Sequence, residues 1–166
     1  MKNEKQKAPG TAQLTAMAEE LIRSRSTMTL ATGGDSGPWA APVYYACLEG
    51  SFYFFSSPES RHIQESLPDK GAAAAIFAES DSWQGIRGLQ MSGRIFHIRA
   101  GFKAFKGLQA YMRKFAFTRE FFTPGKRIDL DAFSERFRVR FYAFKPDLIY
   151  YLDNSIAFGF KETVTL

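Results

Sequence analysis

The sequence predicts a small antiparallel β-barrel with peripheral helices, and three observations point there. Apolar runs of strand length alternate with glycine-rich turns, and helical periodicity is confined to a few segments. The third is the aromatic content: 17 phenylalanines and seven tyrosines need a large core, a subunit interface or a flat ligand to cover them. The 166 residues, 45% hydrophobic and 23% charged, suffice for one domain with one sizeable core. No apolar run approaches the roughly 18 residues of a membrane span, and no secretory signal is recognisable, so a cytoplasmic protein without a membrane anchor is expected. Cys47 is the only cysteine, which excludes an intrachain disulfide and a cysteine-based zinc site. The net charge of +5 favours an anionic partner, and a phosphate-bearing small molecule satisfies it as well as nucleic acid does.

Residues 1–10 are polar and lysine-rich and read as a tail, leaving residues 11–166 as the single domain. Leu14, Met17, Ala18, Leu21 and Ile22 recur at helical spacing and predict an amphipathic helix. Residues 28–32, 39–48 and 51–56 then read as three strands of a meander, with Glu49-Gly50 as a tight hairpin turn. Ser57, Pro58 and Glu59 look like a helix start, with Ser57 as N-cap and Pro58 in the first helical position. Residues 72–78 form a small-residue strand. Residues 86–98 form a long one, with bends or bulges expected at Gly88 and Gly93. Phe102, Phe105, Leu108, Met112 and Phe115 mark a longer helix, Pro124-Gly125 ends the region after it, and residues 131–135 add a further turn or two. Arg136-Phe-Arg-Val-Arg-Phe141 alternates strictly and reads as a strand, residues 148–152 as the last one.

The junction Phe55-Ser56-Ser57-Pro58-Glu59-Ser60-Arg61-His62 is the most specific local feature. Hydroxyls of Ser56, Ser57 and Ser60, the Arg61 guanidinium and backbone N–H groups at a helix start together suit a phosphate. An ordinary capped helix with Arg61 in solvent accounts for the same residues. Tyr44, Tyr45, Trp83 and Phe158 are candidates to flank a flat ligand, though aromatics of a small barrel more often pack in its core. His97 and Cys47 read as structural residues. Arg136, Arg138 and Arg140 would line one strand face and raise nucleic-acid binding as a competing function, but the aromatics of that strand fall on the opposite face.

This junction resembles the pyridoxamine 5'-phosphate oxidase-like FMN-binding split barrels. In that family an aromatic-hydroxyl pair ending a strand is followed by a Ser-Arg-Lys triplet that holds the flavin phosphate. Phe55-Ser56 and Ser60-Arg61-His62 stand at the matching positions. Ala40-Ala41-Pro42-Val43-Tyr44-Tyr45 is similar to the strand along the isoalloxazine edge, and Arg87-Gly88-Leu89-Gln90-Met91-Ser92-Gly93 to a later barrel strand. The resemblance implies a six-stranded antiparallel split β-barrel that binds FMN, with cofactor contacts at Ala40, Pro42, Val43, Tyr44, Tyr45, Phe55, Ser56, Ser60, Arg61, His62, Arg87 and Gln90. It also implies a homodimer with flavin sites between subunits and a flavin-dependent oxidoreductase acting on a small molecule. His62 replaces the family's lysine, Ala40 its arginine and Tyr45 a second lysine, so phosphate affinity shifts onto Arg61. Contacts to the ring then fall to backbone groups or the Tyr45 hydroxyl. A non-catalytic FMN carrier, a deazaflavin or haem protein and a nucleic-acid-binding barrel are the alternatives.

Overall fold

The computed structural model describes residues 8–67, 70–99, 101–120 and 130–166. Helix α1, Thr11–Ser24, buries Leu14, Ala18, Leu21 and Ile22, the face its periodicity predicts. Strands β1, Thr27–Gly34, and β2, Gly37–Tyr44, form a hairpin. The expected single strand over residues 39–48 is divided: β3, Ala46–Leu48, separates from β2 at Tyr45, which turns fully into the core. Glu49 and Gly50 both take positive φ, 50° and 68°, so β3 and β4, Ser51–Ser56, meet through the tight turn the sequence predicts. Helix α2, Arg61–Ser66, begins three residues after Pro58, with Ser60 rather than Ser57 at its N-cap. Strand β5 is Ala72–Phe77, and a short 3₁₀ turn at Trp83–Gly85 leads into β6, Arg87–His97.

Helix α3, Phe102–Lys114, follows, then a 3₁₀ turn at Ala116–Glu120 and helix α4, Leu130–Phe137. The arginine-bearing segment is not the strand its alternation predicts. Arg136 and Phe137 end α4, Arg138 is left-handed at φ 52°, and β7 starts only at Arg140. Strand β7, Arg140–Asp153, runs unbroken through Pro146 and so joins two expected strands into one. Strand β8, Lys161–Thr163, pairs with its end. The Pro124-Gly125 reading and residues 1–7 of the expected tail lie outside the described residues.

The sheet runs β2-β1-β5-β6-β7-β4-β3, with β8 beside β7: eight strands where six were expected. Every pairing is antiparallel. The sheet curls until β2 approaches β4 without pairing to it, leaving a seam beside which α2 packs on β1 and β2. Leu30, Phe52, Phe54, Ile63, Ile76, Leu89, Phe144 and Tyr151 fill the interior together with α1. Strand β4 is buried on both faces. Phe52, Phe54 and Ser56 point inward, while Tyr53 and Phe55 are covered by α3, whose Leu108 and Tyr111 pack on Phe141 and Phe115. Much of the aromatic surplus is therefore core, in two layers on either side of β4 and β7. Among the described residues no helix is long and apolar enough to cross a membrane.

Candidate functional site

Strand β4 ends at Ser56, and the chain turns through Ser57, Pro58 and Glu59 before α2 starts. This turn gathers three polar side chains. Ser56 Oγ lies 3.0 Å from Ser60 Oγ and 2.8 Å from His62 Nε2, and Ser60 Oγ lies 3.3 Å from the same nitrogen. Ser60 Oγ also donates to the Ser57 carbonyl at 2.8 Å. Ser56 and His62 are buried. Burial pushes the His62 imidazole below its ordinary value of 6.5, against a weaker pull upward from the Glu65 carboxylate. The cluster is thus uncharged near neutral pH. Its two hydroxyls and one ring nitrogen can redirect to the oxygens of an anion.

A depressed histidine pKa has a testable sign. The unfolded chain takes up a proton near pH 6.5 and the folded chain only at lower pH, so stability is full above 6.5 and falls as the pH drops below it. His97 shifts in the same direction, through burial first and the nearby Arg140 and Arg99 charges second. We expect denaturant midpoints to fall between pH 7 and 5. We expect His62→Gln to flatten that slope in part, leaving the His97 share. An unchanged slope in the variant would place His62 in solvent.

Arg61, the first residue of α2, makes its own contacts outside this cluster. Its Nε pairs with Glu65 Oε1 at 2.6 Å, one Nη donates to the Gly37 carbonyl at 2.8 Å, and the guanidinium sits 4.8 Å above the Trp39 ring. Glu65 accepts in turn from Thr32 Oγ1 at 2.7 Å. The Thr32 hydrogen bond, ahead of the Arg61 contact, holds the Glu65 carboxyl below its usual value. This network ties α2 to β1 and β2 along the seam. Thr32, Trp39 and Glu65 are site neighbours that no sequence motif marks. The i,i+4 spacing of Arg61 and Glu65 was visible, whereas Thr32 and Trp39 needed the strand register that makes them neighbours.

The remaining predicted contacts divide by sheet face. Ala40, Pro42 and Tyr44 point outward from β2, while Val43 is inward and its side chain is core. The Tyr45 hydroxyl donates to the Ile22 carbonyl at 2.8 Å beneath the Lys114 ammonium, so that hydroxyl is already engaged in the core. Phe55 packs among Tyr111, Phe133 and Phe141. Arg87 lies 3.9 Å from Glu20 at the far end of β6. Trp83 and Phe158 meet edge to face, at 5.6 Å between centroids, away from the serine cluster's strand. Cys47 is partly buried, and that burial pushes its thiol up to about 11, which suits a packing residue rather than a reactive thiolate.

Register places two rows across the outer face of the sheet. One runs Ala40, Ala31, Ala73, Ser92, Leu148, and the next Pro42, Thr29, Ala75, Gln90, Tyr150. The first row is exposed throughout, with Phe77 on the same face of β5 at 62% exposure. Gln90 belongs to this face, three strands from β2 and hence about 14 Å across the sheet from Pro42.

A curled, incompletely closed antiparallel sheet, with a hydroxyl and imidazole cluster at the end of one strand and an uncovered small-residue face, defines the class as a split β-barrel. The pyridoxamine 5'-phosphate oxidase family profile matches residues 14–151, and the chain belongs to that family. Among curated proteins none matches. A haem-binding protein from Mycobacterium smegmatis shares the fold with a TM-score of 0.67 at 19% identity, over 95% of this chain and 58% of its own. A FAD-binding protein from Mesorhizobium loti gives 0.60 at 16%, over 81% and 90%. Campylobacter jejuni ChuZ gives 0.69 at 10%, over 94% and 61%. The chain therefore spans little more than half the length of the M. smegmatis protein.

Proposed function

We propose that this protein binds FMN in a site completed by a second copy of the chain and serves as a flavin-dependent oxidoreductase for a small molecule. The observation that carries the reading is the Ser56, Ser60 and His62 cluster beside the seam, within a fold whose family is that of a flavin-using oxidase. The cluster fits a phosphate by its chemistry, offering donors that are now bonded only to one another and to a carbonyl. Arg61 retains guanidinium N–H groups beyond the two bonded to Glu65 and Gly37, which keeps it available to the same group. Backbone groups of residues 40–45 would line the ring edge. When bound, the flavin supplies hydride and electron transfer, and the protein sets orientation and access.

The dimer rests on the outer sheet face. Antiparallel sheets that face water normally alternate polar residues outward, but this face carries alanines, Leu148 and Phe77. A second copy would cover it, and would also bring its own Gln90 toward a ring lying on β2, which the Gln90 of the same chain is too far away to reach. FAD and haem, the ligands named for two proteins of this fold, are flat and anionic as FMN is.

The test is the visible spectrum of the purified protein, with mass identification of whatever denaturation releases and sedimentation to count subunits. A yellow dimer releasing FMN is the expected result. A Soret band would assign haem instead. A colourless protein that takes up no added FMN would remove the flavin reading.

A further inference from the structure

We infer that Arg25 and Lys114, at the C-terminal end of α1, hold the carboxylate of a small aromatic acid whose ring lies against Tyr44 and Phe117. The site stands on its own contacts, and only the reading of that acid as the protein's substrate rests on the flavin proposal above.

The two cations meet at Tyr45. Lys114 Nζ sits 3.8 Å from the centre of the Tyr45 ring and donates to the Ile22 carbonyl at 3.0 Å, the same oxygen that accepts from the Tyr45 hydroxyl. Burial pushes the Tyr45 phenol up, and the Arg25 charge pulls against that rise, so the guanidinium lies within reach of the same phenol. Burial also draws the Lys114 ammonium down to about 8, with Cys47 and no carboxylate opposing the fall.

Helix capping accounts for one of these cations and not for the other. The Leu21 carbonyl takes the Arg25 N–H at 3.1 Å and the Ser24 hydroxyl at 3.1 Å, and the Ile22 carbonyl takes Lys114 and Tyr45. The Arg25 guanidinium caps neither. Its Nε is buried without a hydrogen-bond partner, although Arg25 as a whole stays partly exposed. Leaving a buried donor of a charged group unpaired is costly, and native structures do so rarely. Ion pairs among the described residues join Arg61 to Glu65, Arg87 to Glu20 and Lys106 to Glu49, so neither Arg25 nor Lys114 has a carboxylate partner there. A ligand carboxylate answers both needs: the planar Arg25 fork donates to its oxygens, and Lys114 adds the second charge.

The aromatic half comes from the preceding residue of the chain. Tyr44 points outward from β2, half-exposed, and meets Phe115 and Phe117 edge to face at 5.3 and 5.9 Å between centroids. Phe117 is 45% exposed, whereas Phe115 is buried and links the rings to the cation, its centroid 5.9 Å from Lys114 Nζ. A planar ring set against Tyr44 and Phe117 takes two exposed aromatic surfaces out of water. Tyr44 also ends the strand whose backbone would line the flavin ring, so an acid held here would stand beside the cofactor.

The experiment is calorimetric titration of the purified protein with benzoate, benzamide, acetate and inorganic phosphate, repeated on Arg25→Gln, Lys114→Gln and Phe117→Ala. Benzoate binding about 10-fold or more tighter than the other three, weakened about 10-fold by either cation substitution and several-fold by Phe117→Ala, supports the inference. Arg25→Gln removes an unpaired guanidinium, so without ligand it melts no lower than wild type, whereas benzoate raises the wild-type midpoint and not the variant's. An Arg25→Gln melt well below wild type makes Arg25 a structural residue and overturns the inference. So does a protein that binds no benzoate, or one whose benzoate affinity the three substitutions leave unmoved. Benzamide as tight as benzoate removes the cations from the site, acetate as tight removes the rings, and phosphate as tight makes the corner a general anion site; each overturns it too. With FMN bound, benzoate shifts the flavin absorption, and an unmoved spectrum overturns the substrate role. Selective benzoate binding by a protein that takes up no flavin supports the carboxylate site and fells the flavin reading instead.

Discussion

Gly93→Ala lowers the thermal midpoint by about 6 to 12 °C, which corresponds to roughly 3 kcal/mol in a domain of this size. Strand β6 pairs with β7 along its whole length, but the register slips between Ser92 and Gly93. Ser92 faces Leu148 and Gly93 faces Pro146, which leaves Asp147 as the extra residue of a bulge. A Cβ on Gly93 would collide with the Lys145 carbonyl oxygen and come within 2.7 Å of Pro146 Cα. Both are backbone atoms held by the central pair of strands, so neither can swing aside as a side chain would. Gly33→Ala is the control, since a Cβ there meets nothing within 4 Å. If Gly93→Ala melts within about 2 °C of wild type, below the effect of one kcal/mol in a small domain, the bulge is looser than its geometry indicates.

Arg61→Ala weakens FMN binding about 10- to 150-fold, through loss of a charge-assisted contact worth about 1.5 to 3 kcal/mol. The same substitution removes the ion pair to Glu65, the hydrogen bond to the Gly37 carbonyl and the stack on Trp39, so some thermal stability goes with it. Glu65→Gln separates the two effects. It dissolves the ion pair but keeps the cation, so it should reproduce part of the stability loss and little of the affinity loss. Arg61→Lys retains the charge without the planar fork, and falls between wild type and alanine in affinity. An FMN dissociation constant that Arg61→Ala leaves untouched would remove this residue from the phosphate site and hand that role to Ser56, Ser60 and His62.

Local signals carried much of the fold. The spacing of Leu14, Ala18, Leu21 and Ile22, the Glu49-Gly50 turn and the small-residue strand at residues 72–77 are each decided by a few neighbouring residues, and each was legible. The misreadings share a cause in long-range partners. Lys145-Pro146-Asp147 reads as a strand break because proline lacks an N–H. In the folded sheet Pro146 lies at the bulge opposite Gly93, where the ladder is already interrupted and β7 passes through. Alternation over residues 136–141 mimicked a strand, while Phe133 packing on Phe55 and Phe137 favoured extending α4 instead. At the candidate site, the grouping of Ser56, Ser60 and His62 was within reach of the sequence because one turn makes it. The engagement of Arg61 with Gly37 and Trp39, and of Arg140 with the strand of Ser56, depends on pairings no local pattern encodes.

Strand β4 also sets a schedule for the nascent chain. Its Phe-Tyr-Phe-Phe run is covered inside by the barrel and outside by α3, and its long ladder partner is β7, whose first residue is Arg140. At about 5 to 20 residues per second, several seconds of synthesis separate the emergence of that run from the arrival of the strand that shields it. Until then the ribosome carries an aromatic β-segment with one side of its backbone unpaired, the kind of sequence that associates with its own copies. Chains released before β7 is complete should therefore accumulate in the insoluble fraction, and yield should depend more on translation tempo and chaperone supply than on the stability of the finished barrel.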